Sequence, residues 1–286
     1  MLLFLLLAAP LVLDDGDRVV LVGNTLIERE QRYGHWEAAL VSAFPGKKLQ
    51  VRNLGWSGDT VFGHARDGHA YTRTHRATVE GGYKHLKEHT LSIKPTVLIV
   101  AFGTNEAFDG EEGLPAFKKG LARLLDDLAP PKARTWLVAP FKQGTMPSPL
   151  PSPDKANANL KLYADAIRAA AKERKLGLID LHEAGGDIGE AGWSDNGIHL
   201  TEKGYRESAP LLLKQLDVEA KTPKEPGKLR AAIVKKNELY FHRWRPQNET
   251  YLFGFRKHEQ GNNGIEIPKF DPLVEAKEKE IAELSK

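Results

Sequence analysis

The sequence predicts an α/β protein, a three-layer α/β/α sandwich around a five-stranded, mostly parallel sheet. Short β-branched runs alternate with segments of helical length between residues 17 and 217, and residues 96–102 are apolar nearly end to end. The second pattern is typical of a central parallel strand buried on both faces. Lys and Arg total 41 against 38 Asp and Glu, and 41% of the residues are hydrophobic. This composition excludes a disordered chain, a collagen-like repeat and a strongly basic nucleic-acid coat.

The five predicted strands and five predicted helices alternate along the chain. Apolar runs ended by turn residues predict the strands, and apolar residues at helical spacing predict the helices. Asp154 and Thr201 are good N-cap residues for the last two helices. Strands separated by helices of this length are joined by right-handed crossovers, which makes the sheet parallel. The strands are predicted at residues 18–22, 49–54, 96–102, 134–139 and 176–181, and the helices at 28–44, 79–91, 114–128, 155–174 and 201–216.

The first thirteen residues are apolar throughout, with a single proline at Pro10. A bilayer span takes about 20 residues, so this segment predicts no stable membrane span. Its length suits the apolar region of a signal peptide, which predicts an exported, periplasmic or extracellular bacterial protein. No Lys or Arg precedes the run, and Ala8 and Ala9 give no clean cleavage pattern. A buried first strand is therefore the alternative.

The chain contains no cysteine. This excludes disulfide scaffolds, thiolate zinc sites, iron–sulfur clusters and a cysteine nucleophile. Covalent chemistry must therefore come from Ser, Thr, Lys, His or a carboxylate.

Four polar, glycine-containing loops follow predicted strands. The carboxyl ends of parallel strands share one edge of a sheet, so we expect these loops to meet there. Together they offer a hydroxyl, an imidazole, a side-chain amide and free backbone N–H groups. Acyl transfer needs these parts as nucleophile, base and oxyanion hole. The loops are Gly23-Asn24-Thr25, the segment 55–60 (GWSGDT), Gly103-Thr104-Asn105 and the segment 194–199 (SDNGIH).

These four blocks, in this order, resemble those of the SGNH (GDSL-type) hydrolase family over about residues 17–217. The resemblance implies the flavodoxin-like fold of that family and an ester hydrolase without cofactor or metal. The expected substrate is a small acyl ester, such as a carbohydrate acetyl ester. The resemblance implies Thr25 as nucleophile, His199 as base, and Thr25, Gly58 and Asn105 as the oxyanion hole.

Three positions depart from the family pattern. Thr25 stands where the family has serine, and its β-methyl group stiffens χ1 and crowds the attack trajectory. Asn24 replaces the family's aspartate in the same block. Asn196, three residues before His199, also replaces an aspartate, so Asn196 or the neighbouring Asp195 orients the imidazole, or the site works as a dyad. These departures leave open a second function, a non-catalytic carbohydrate- or ligand-binding protein that keeps the cleft.

Several single residues have alternative interpretations. Thr25 could be only a helix cap, and His199 could be only structural. Ser57 is a second candidate nucleophile, ranked below Thr25. His85 and His89 have the i, i+4 spacing of zinc ligands, but no third ligand is near in sequence, so a solvated helix face is predicted for them.

Residues 14–218 form the predicted hydrolase-like domain, and residues 219–286 form an extension beyond it. Residues 219–228 have a linker composition, residues 240–255 contain six aromatic side chains interleaved with arginines, and residues 275–284 predict a charged helix. The aromatic surface predicts burial against the domain or a partner subunit, which would make a homodimer. It also suits carbohydrate stacking, whereas the net charge of +3 argues against nucleic acid. The extension resembles one found on some exported bacterial SGNH-like proteins.

Overall fold

Five parallel strands form the sheet at the centre of the fold, in the order β2-β1-β3-β4-β5. The computed structural model describes residues 10–69, 79–129, 132–246 and 249–286. Each predicted strand is confirmed to within one residue at either end, and the pairings between neighbours are all parallel. The strands are β1 (Arg18–Gly23), β2 (Gln50–Asn53), β3 (Val97–Ala101), β4 (Arg134–Ala139) and β5 (Gly177–Asp180).

Helices cover both faces of this sheet, which confirms the three-layer sandwich. Successive strand residues point to opposite faces, so Ile99 packs in one apolar cluster while Leu98 and Val100 pack in the other. The Ile99 face is covered by α1 (Thr25–Tyr33), α2 (His35–Ala43) and α7 (Glu202–Gln215), and the Leu98 face by α3 (Val79–Ser92), α4 (Gly110–Leu128) and α5 (Asp154–Arg174). A short helix, α6 (Leu181–Ala184), follows β5.

The single helix predicted over residues 28–44 is wrong, because Gly34 divides it into α1 and α2. Gly34 has φ of +66° and its N–H donates to the Glu30 carbonyl, which closes α1. A Cβ atom at this position would also lie 3.0 Å from Ile233, so only glycine fits both the turn and the packing.

The two predicted helix caps have different outcomes. Thr201 is the N-cap of α7, and its hydroxyl accepts the Gly204 N–H. Asp154 is instead the first residue of α5, and its N–H donates to the Ser152 hydroxyl. The predicted capping role of Asp154 is therefore wrong by one position.

The beginning of the described chain is built into the core. Most of the predicted signal segment, residues 1–9, lies outside the described residues. Leu11 and Leu13 are buried, and the Leu11 N–H donates to the Leu216 carbonyl at 2.9 Å. These two leucines therefore pack with α7 in the apolar layer on the Ile99 face.

The C-terminal extension is helical and lies along the edge strand β2. It contains α8 (Pro226–Trp244), α9 (Glu249–Leu252) and α10 (Phe270–Leu284), so the predicted linker ends three residues early and the final helix begins five residues early. Lys236 on α8 donates to the outward-facing Val51 carbonyl of β2 and to Glu37 on α2, at 2.9 and 2.6 Å. A strand edge needs such partners, because its free carbonyls are otherwise unsatisfied.

The aromatic side chains of the extension are divided between buried and exposed positions. Tyr240 and Trp244 pack against the apolar cluster on the Leu98 face, whereas Leu229 and Ile233 belong to the cluster on the other face. Helix α8 therefore joins the two layers around the β2 edge. Phe253 and Phe255 remain 55% and 63% exposed, so the domain does not bury these two, and their burial against a partner subunit stays a prediction.

Candidate active site

A cavity of about 410 Å³ opens at the carboxyl ends of the strands. Thr25, Asn105 and His199, which come from three different sequence blocks, all line it. Their convergence follows from the parallel sheet, which brings the loops after β1 and β3 to the same edge as the loop that precedes α7.

Thr25 is the first residue of α1. The N-cap is Asn24, whose Oδ1 accepts the Leu26 N–H at 3.1 Å, so the alternative in which Thr25 only caps the helix is wrong. The Thr25 hydroxyl oxygen instead accepts the backbone N–H of Gly58 at 3.3 Å. The hydroxyl therefore lies at the positive end of α1 and beside a backbone donor.

The loop after β2 carries Gly58 at a φ of +77°, where a side chain would be strained. A Cβ atom there would meet nothing within 4 Å, so the peptide lies open to the solvent. The neighbouring Ser57 is exposed and lies outside the lining of the cavity. This position supports its lower rank as a candidate nucleophile.

The Asn105 side chain connects the loops that follow β2 and β3. Its Nδ2 donates one hydrogen to the Asp59 carbonyl at 2.7 Å, which leaves the second hydrogen for the cavity. Asp59 is itself held by a fully buried ion pair with Arg66 at 2.6 Å. The amide is therefore fixed before any substrate arrives.

His199 is oriented by Asn196, and Asp195 has a different partner. Asn196 Nδ2 lies 3.0 Å from His199 Nδ1. Asp195 forms an ion pair with Arg29 at 2.7 Å, with 44% of its side chain exposed. The Asp195 carboxylate is therefore bound to the Arg29 guanidinium, and the Nδ1 atom of His199 faces an amide.

Burial and two neighbouring charges shift the pKa of His199. Burial lowers its pKa, the positive charge of Arg29 lowers it further, and the negative charge of Asp195 opposes both. The net direction is downward, so the imidazole is neutral near pH 7. A neutral imidazole is the form that can accept a proton.

Glu106, adjacent to Asn105, is a site residue that the sequence analysis missed. Its carboxylate accepts the Val61 N–H at 2.9 Å and the Gly103 N–H at 2.8 Å, which ties together the loops after β2 and β3. Burial raises its pKa to about 7. The signal in the sequence was an acidic residue directly after the Gly-Thr-Asn block, followed by the apolar Ala107 and Phe108.

The rest of the cavity wall combines apolar, basic and neutral polar side chains. Ala107, Phe108 and Phe141 provide apolar surface, and Phe108 is 69% exposed at the mouth. The charged lining residues are Lys142 and Lys155, and no carboxylate lines this cavity in the described part of the chain. The wall therefore combines a surface for an apolar group with donors for polar ones.

The described residues contain no group of three or more His, Asp or Glu side chains that could hold a metal ion. The predicted solvated face at His85 and His89 is wrong for His89. Its Nδ1 is buried, its ring contacts Trp244 edge-on at 5.4 Å, and burial lowers its pKa to about 4. Within the same described residues, every helix is too short or too polar to cross a bilayer.

The sequence model of the GDSL-like lipase/acylhydrolase family matches residues 17–207. This range contains all four sequence blocks, three of which line the cavity, and it ends inside α7. No curated relative of this sequence is found.

Solved structures share the fold at low sequence identity. The acetylxylan esterase Axe2 from Geobacillus stearothermophilus is 17% identical, with a TM-score of 0.52 over 73% of this chain and 97% of that one. LAE5, an α/β hydrolase from the metagenome of Lake Arreo, is 18% identical, with a TM-score of 0.52 over 72% and 97%. BT4096, a gut microbial diltiazem-metabolizing enzyme, is 17% identical, with a TM-score of 0.55 over 74% of this chain. The match spans only 49% of BT4096.

Proposed function

The chain belongs to the GDSL-like lipase/acylhydrolase family and is a carboxylic ester hydrolase, and we propose that Thr25 is its nucleophile and His199 its base. The observation that carries this proposal is the hydrogen bond from the Gly58 N–H to the Thr25 hydroxyl oxygen at 3.3 Å. It places a candidate nucleophile and a candidate oxyanion donor beside each other at the edge of one cavity.

In the proposed reaction the Thr25 oxygen attacks the acyl carbon, and its proton passes to Nε2 of His199. The imidazolium then returns this proton to the leaving alkoxide, and an acyl-threonine ester remains. Water attacks that ester with His199 again accepting a proton, which releases the acid and restores the hydroxyl. Atoms and charge balance in both halves without a cofactor.

The oxyanion of the tetrahedral intermediate is bonded to the same carbon as the Thr25 oxygen. A donor next to the hydroxyl therefore reaches the oxyanion with little movement, and the Gly58 N–H fits that role. Asn105 supplies its second amide hydrogen, and the Thr25 N–H at the start of α1 adds a third donor. Fixed donors of this kind stabilise the charge that develops in the transition state.

The protonation of His199 makes this a slow esterase. Asn196 donates to Nδ1, so the resting imidazole carries its proton on Nε2, the nitrogen that must act as the base. Reaction therefore requires the less stable tautomer, in which an Nδ1 proton faces the Asn196 amide. Threonine in place of serine slows the attack further, because its methyl group restricts the χ1 rotation.

The cavity favours a short acyl group on a polar alcohol, such as an acetylated carbohydrate. Its volume of about 410 Å³ suits a small ester, and its apolar wall at Ala107 and Phe141 suits a methyl group. The likeness to an acetylxylan esterase, which is one of fold, supports the same substrate class.

The test is hydrolysis of p-nitrophenyl acetate and of acetylated xylooligosaccharides by the purified protein. We expect Thr25→Ala to abolish turnover of both, and Thr25→Ser to keep or raise it, because serine offers the same oxygen without the methyl group. Ser57→Ala is the matched control and should leave the rate unchanged.

Turnover in Thr25→Ala that still depends on His199 would overturn the role of Thr25, since water or Ser57 would then be the nucleophile. A wild-type protein that binds these sugars without hydrolysing either ester would favour the binding alternative.

A further inference from the structure

We propose that Arg245, a residue of the C-terminal extension, is a positioning residue for the oxyanion loop, defined as residues 55–60. The extension would thereby belong to the catalytic apparatus. This inference rests on the proposed function, in which Gly58 of that loop donates to the oxyanion.

Arg245 follows α8 directly, contacts Trp56, and shares a carboxylate partner with Ser57, the residue before Gly58. Its guanidinium lies 3.4 Å from the centre of the Trp56 ring, a stacked cation–π contact. Its Nη1 donates to Glu28 at 3.1 Å, and the same Glu28 oxygen accepts the Ser57 N–H. One side chain of the extension thus reaches Trp56 directly and Ser57 through one carboxylate.

Glu28 joins three parts of the protein. It lies one turn after Thr25 on α1, so its position is fixed relative to the proposed nucleophile. Its carboxylate is 11% exposed and its ion-pair partner within the described residues is Arg245, which is 15% exposed. A carboxylate this poorly solvated depends on its counter-ion, so removal of the guanidinium would weaken its hold on the Ser57 N–H.

Trp56 is held by further aromatic and cationic contacts. Trp244, the last residue of α8, meets its ring edge-on at 5.8 Å, and the Arg66 guanidinium lies 5.3 Å from its centre. Arg66 in turn holds Asp59 at the far end of the oxyanion loop. The loop is therefore held at Trp56, Ser57 and Asp59.

Gly58 itself has no such support. It has no side chain, its backbone lies in open space, and the hydrogen bond that joins it to the site within the described residues is the 3.3 Å bond to Thr25. The orientation of the Gly58 N–H is therefore set by the positions of the neighbouring residues Trp56, Ser57 and Asp59. A displacement of about 1 Å in a catalytic group can cost about 10²-fold in rate. Greater mobility of Trp56 and Ser57 should therefore displace the Gly58 N–H and lower the rate of hydrolysis.

The experiment compares Arg245→Gln with Arg243→Gln in the full-length protein. Arg243 is the matched control, because it lies two residues earlier and pairs with Asp271 on the exposed side of the extension. The measurements are kcat and KM for p-nitrophenyl acetate, and amide hydrogen exchange of the peptide that contains Ser57 and Gly58.

For Arg245→Gln we expect kcat to fall by about 10-fold or more with KM little changed, and exchange in the oxyanion loop to accelerate. Arg243→Gln should match the wild type in all three measurements. Arg245→Lys should recover part of kcat, because an ammonium group can still pair with Glu28 although it stacks less well on Trp56.

A folded Arg245→Gln protein with wild-type kcat and wild-type exchange would overturn the inference, as would an equal loss in Arg243→Gln. If Arg245→Gln does not fold, the kinetics of Arg245→Lys provide the test. A kcat below that of the wild type with an unchanged KM would support the inference, and a wild-type kcat would overturn it. A wild-type protein without turnover would contradict the proposed function alone. The amide hydrogen exchange of the oxyanion loop in Arg245→Gln would still show whether Arg245 positions that loop.

Discussion

Asn196 donates a hydrogen bond to His199 rather than accepting one. Asn196 Oδ1 accepts two backbone N–H groups, those of Ile198 at 3.0 Å and of His199 at 2.8 Å. These bonds fix the amide so that its NH2 group faces Nδ1, 3.0 Å away. An aspartate at this position would accept a hydrogen bond from a protonated Nδ1, whereas the asparagine requires Nδ1 to be unprotonated.

The first prediction concerns that bond. Asn196→Asp should raise kcat for p-nitrophenyl acetate by about 10²-fold or more, because the reverse exchange in serine proteases costs about 10⁴ in kcat through the wrong tautomer. The new carboxylate can keep both backbone hydrogen bonds and also accept a hydrogen bond from a protonated Nδ1. Asp195→Asn is the control, and it should change kcat little because Asp195 pairs with Arg29. A larger effect at Asp195 than at Asn196 would show that the wrong residue has been assigned.

The second prediction concerns the oxyanion hole. Asn105→Ala should lower kcat by about 10²–10³, the usual cost of losing one such donor. Asn159, which lines the same cavity from α5, is the matched control, and Asn159→Ala should have a much smaller effect on kcat. Steady-state kinetics on both variants, with thermal melting to verify folding, provide the measurement. An unchanged kcat in Asn105→Ala would remove Asn105 from the mechanism.

The third prediction concerns pH and Glu30. Burial raises the pKa of this carboxyl to about 8, although it accepts the N–H groups of Trp36 and Glu37. Between pH 4.5 and 8 the folded protein therefore holds a proton that the unfolded chain has released, so this group makes stability fall as pH rises. We expect Glu30→Gln to reduce the loss of Tm between pH 5 and pH 8. Melting curves with the same slope in both proteins would contradict this assignment.

The fourth prediction concerns the start of the described chain. Leu13 is fully buried while its neighbour Val12 is 55% exposed. Leu13→Ala should therefore cost about 2–5 kcal/mol of unfolding free energy in urea, whereas Val12→Ala should cost less than about 0.5 kcal/mol. We also propose that the chain is exported, in which case a cleavage that preserves the core must fall before Leu11. Equal stability of the two variants would show that Leu13 is not part of the core.

The sheet and the positions of the site loops were predictable from sequence, for a local reason. Each strand is a short apolar run that ends in turn residues, and parallel strands bring their carboxyl ends to one edge. The break at Gly34 was not predictable in this way. Trp36 and Leu40 continue the apolar spacing of α1 into α2, so the periodicity hides a single left-handed residue.

The residues that position the catalytic groups are held by contacts between segments far apart in the sequence, which sequence patterns do not predict. Arg245 reaches Glu28 across 217 positions, and no pattern in either segment indicates that pairing. The donor role of Asn196 depends on which way an amide faces, and two backbone N–H groups decide that orientation. The identities of the candidate catalytic residues were thus visible in the sequence, but the geometry that controls their protonation and placement was not.

The buried pair of Lys236 and Glu37 joins residues 199 positions apart. During synthesis, Glu37 and β2 leave the ribosome long before α8 does, so one layer of the sandwich stays incomplete until α8 has emerged. Until then Glu37 lacks its cation, and the Val51 carbonyl at the sheet edge lacks the Lys236 ammonium and has only the Arg52 side chain, at 3.2 Å, as a donor among the described residues. The nascent protein therefore exposes the β2 edge until α8 has emerged, and this layer of the sandwich is completed only when the extension docks.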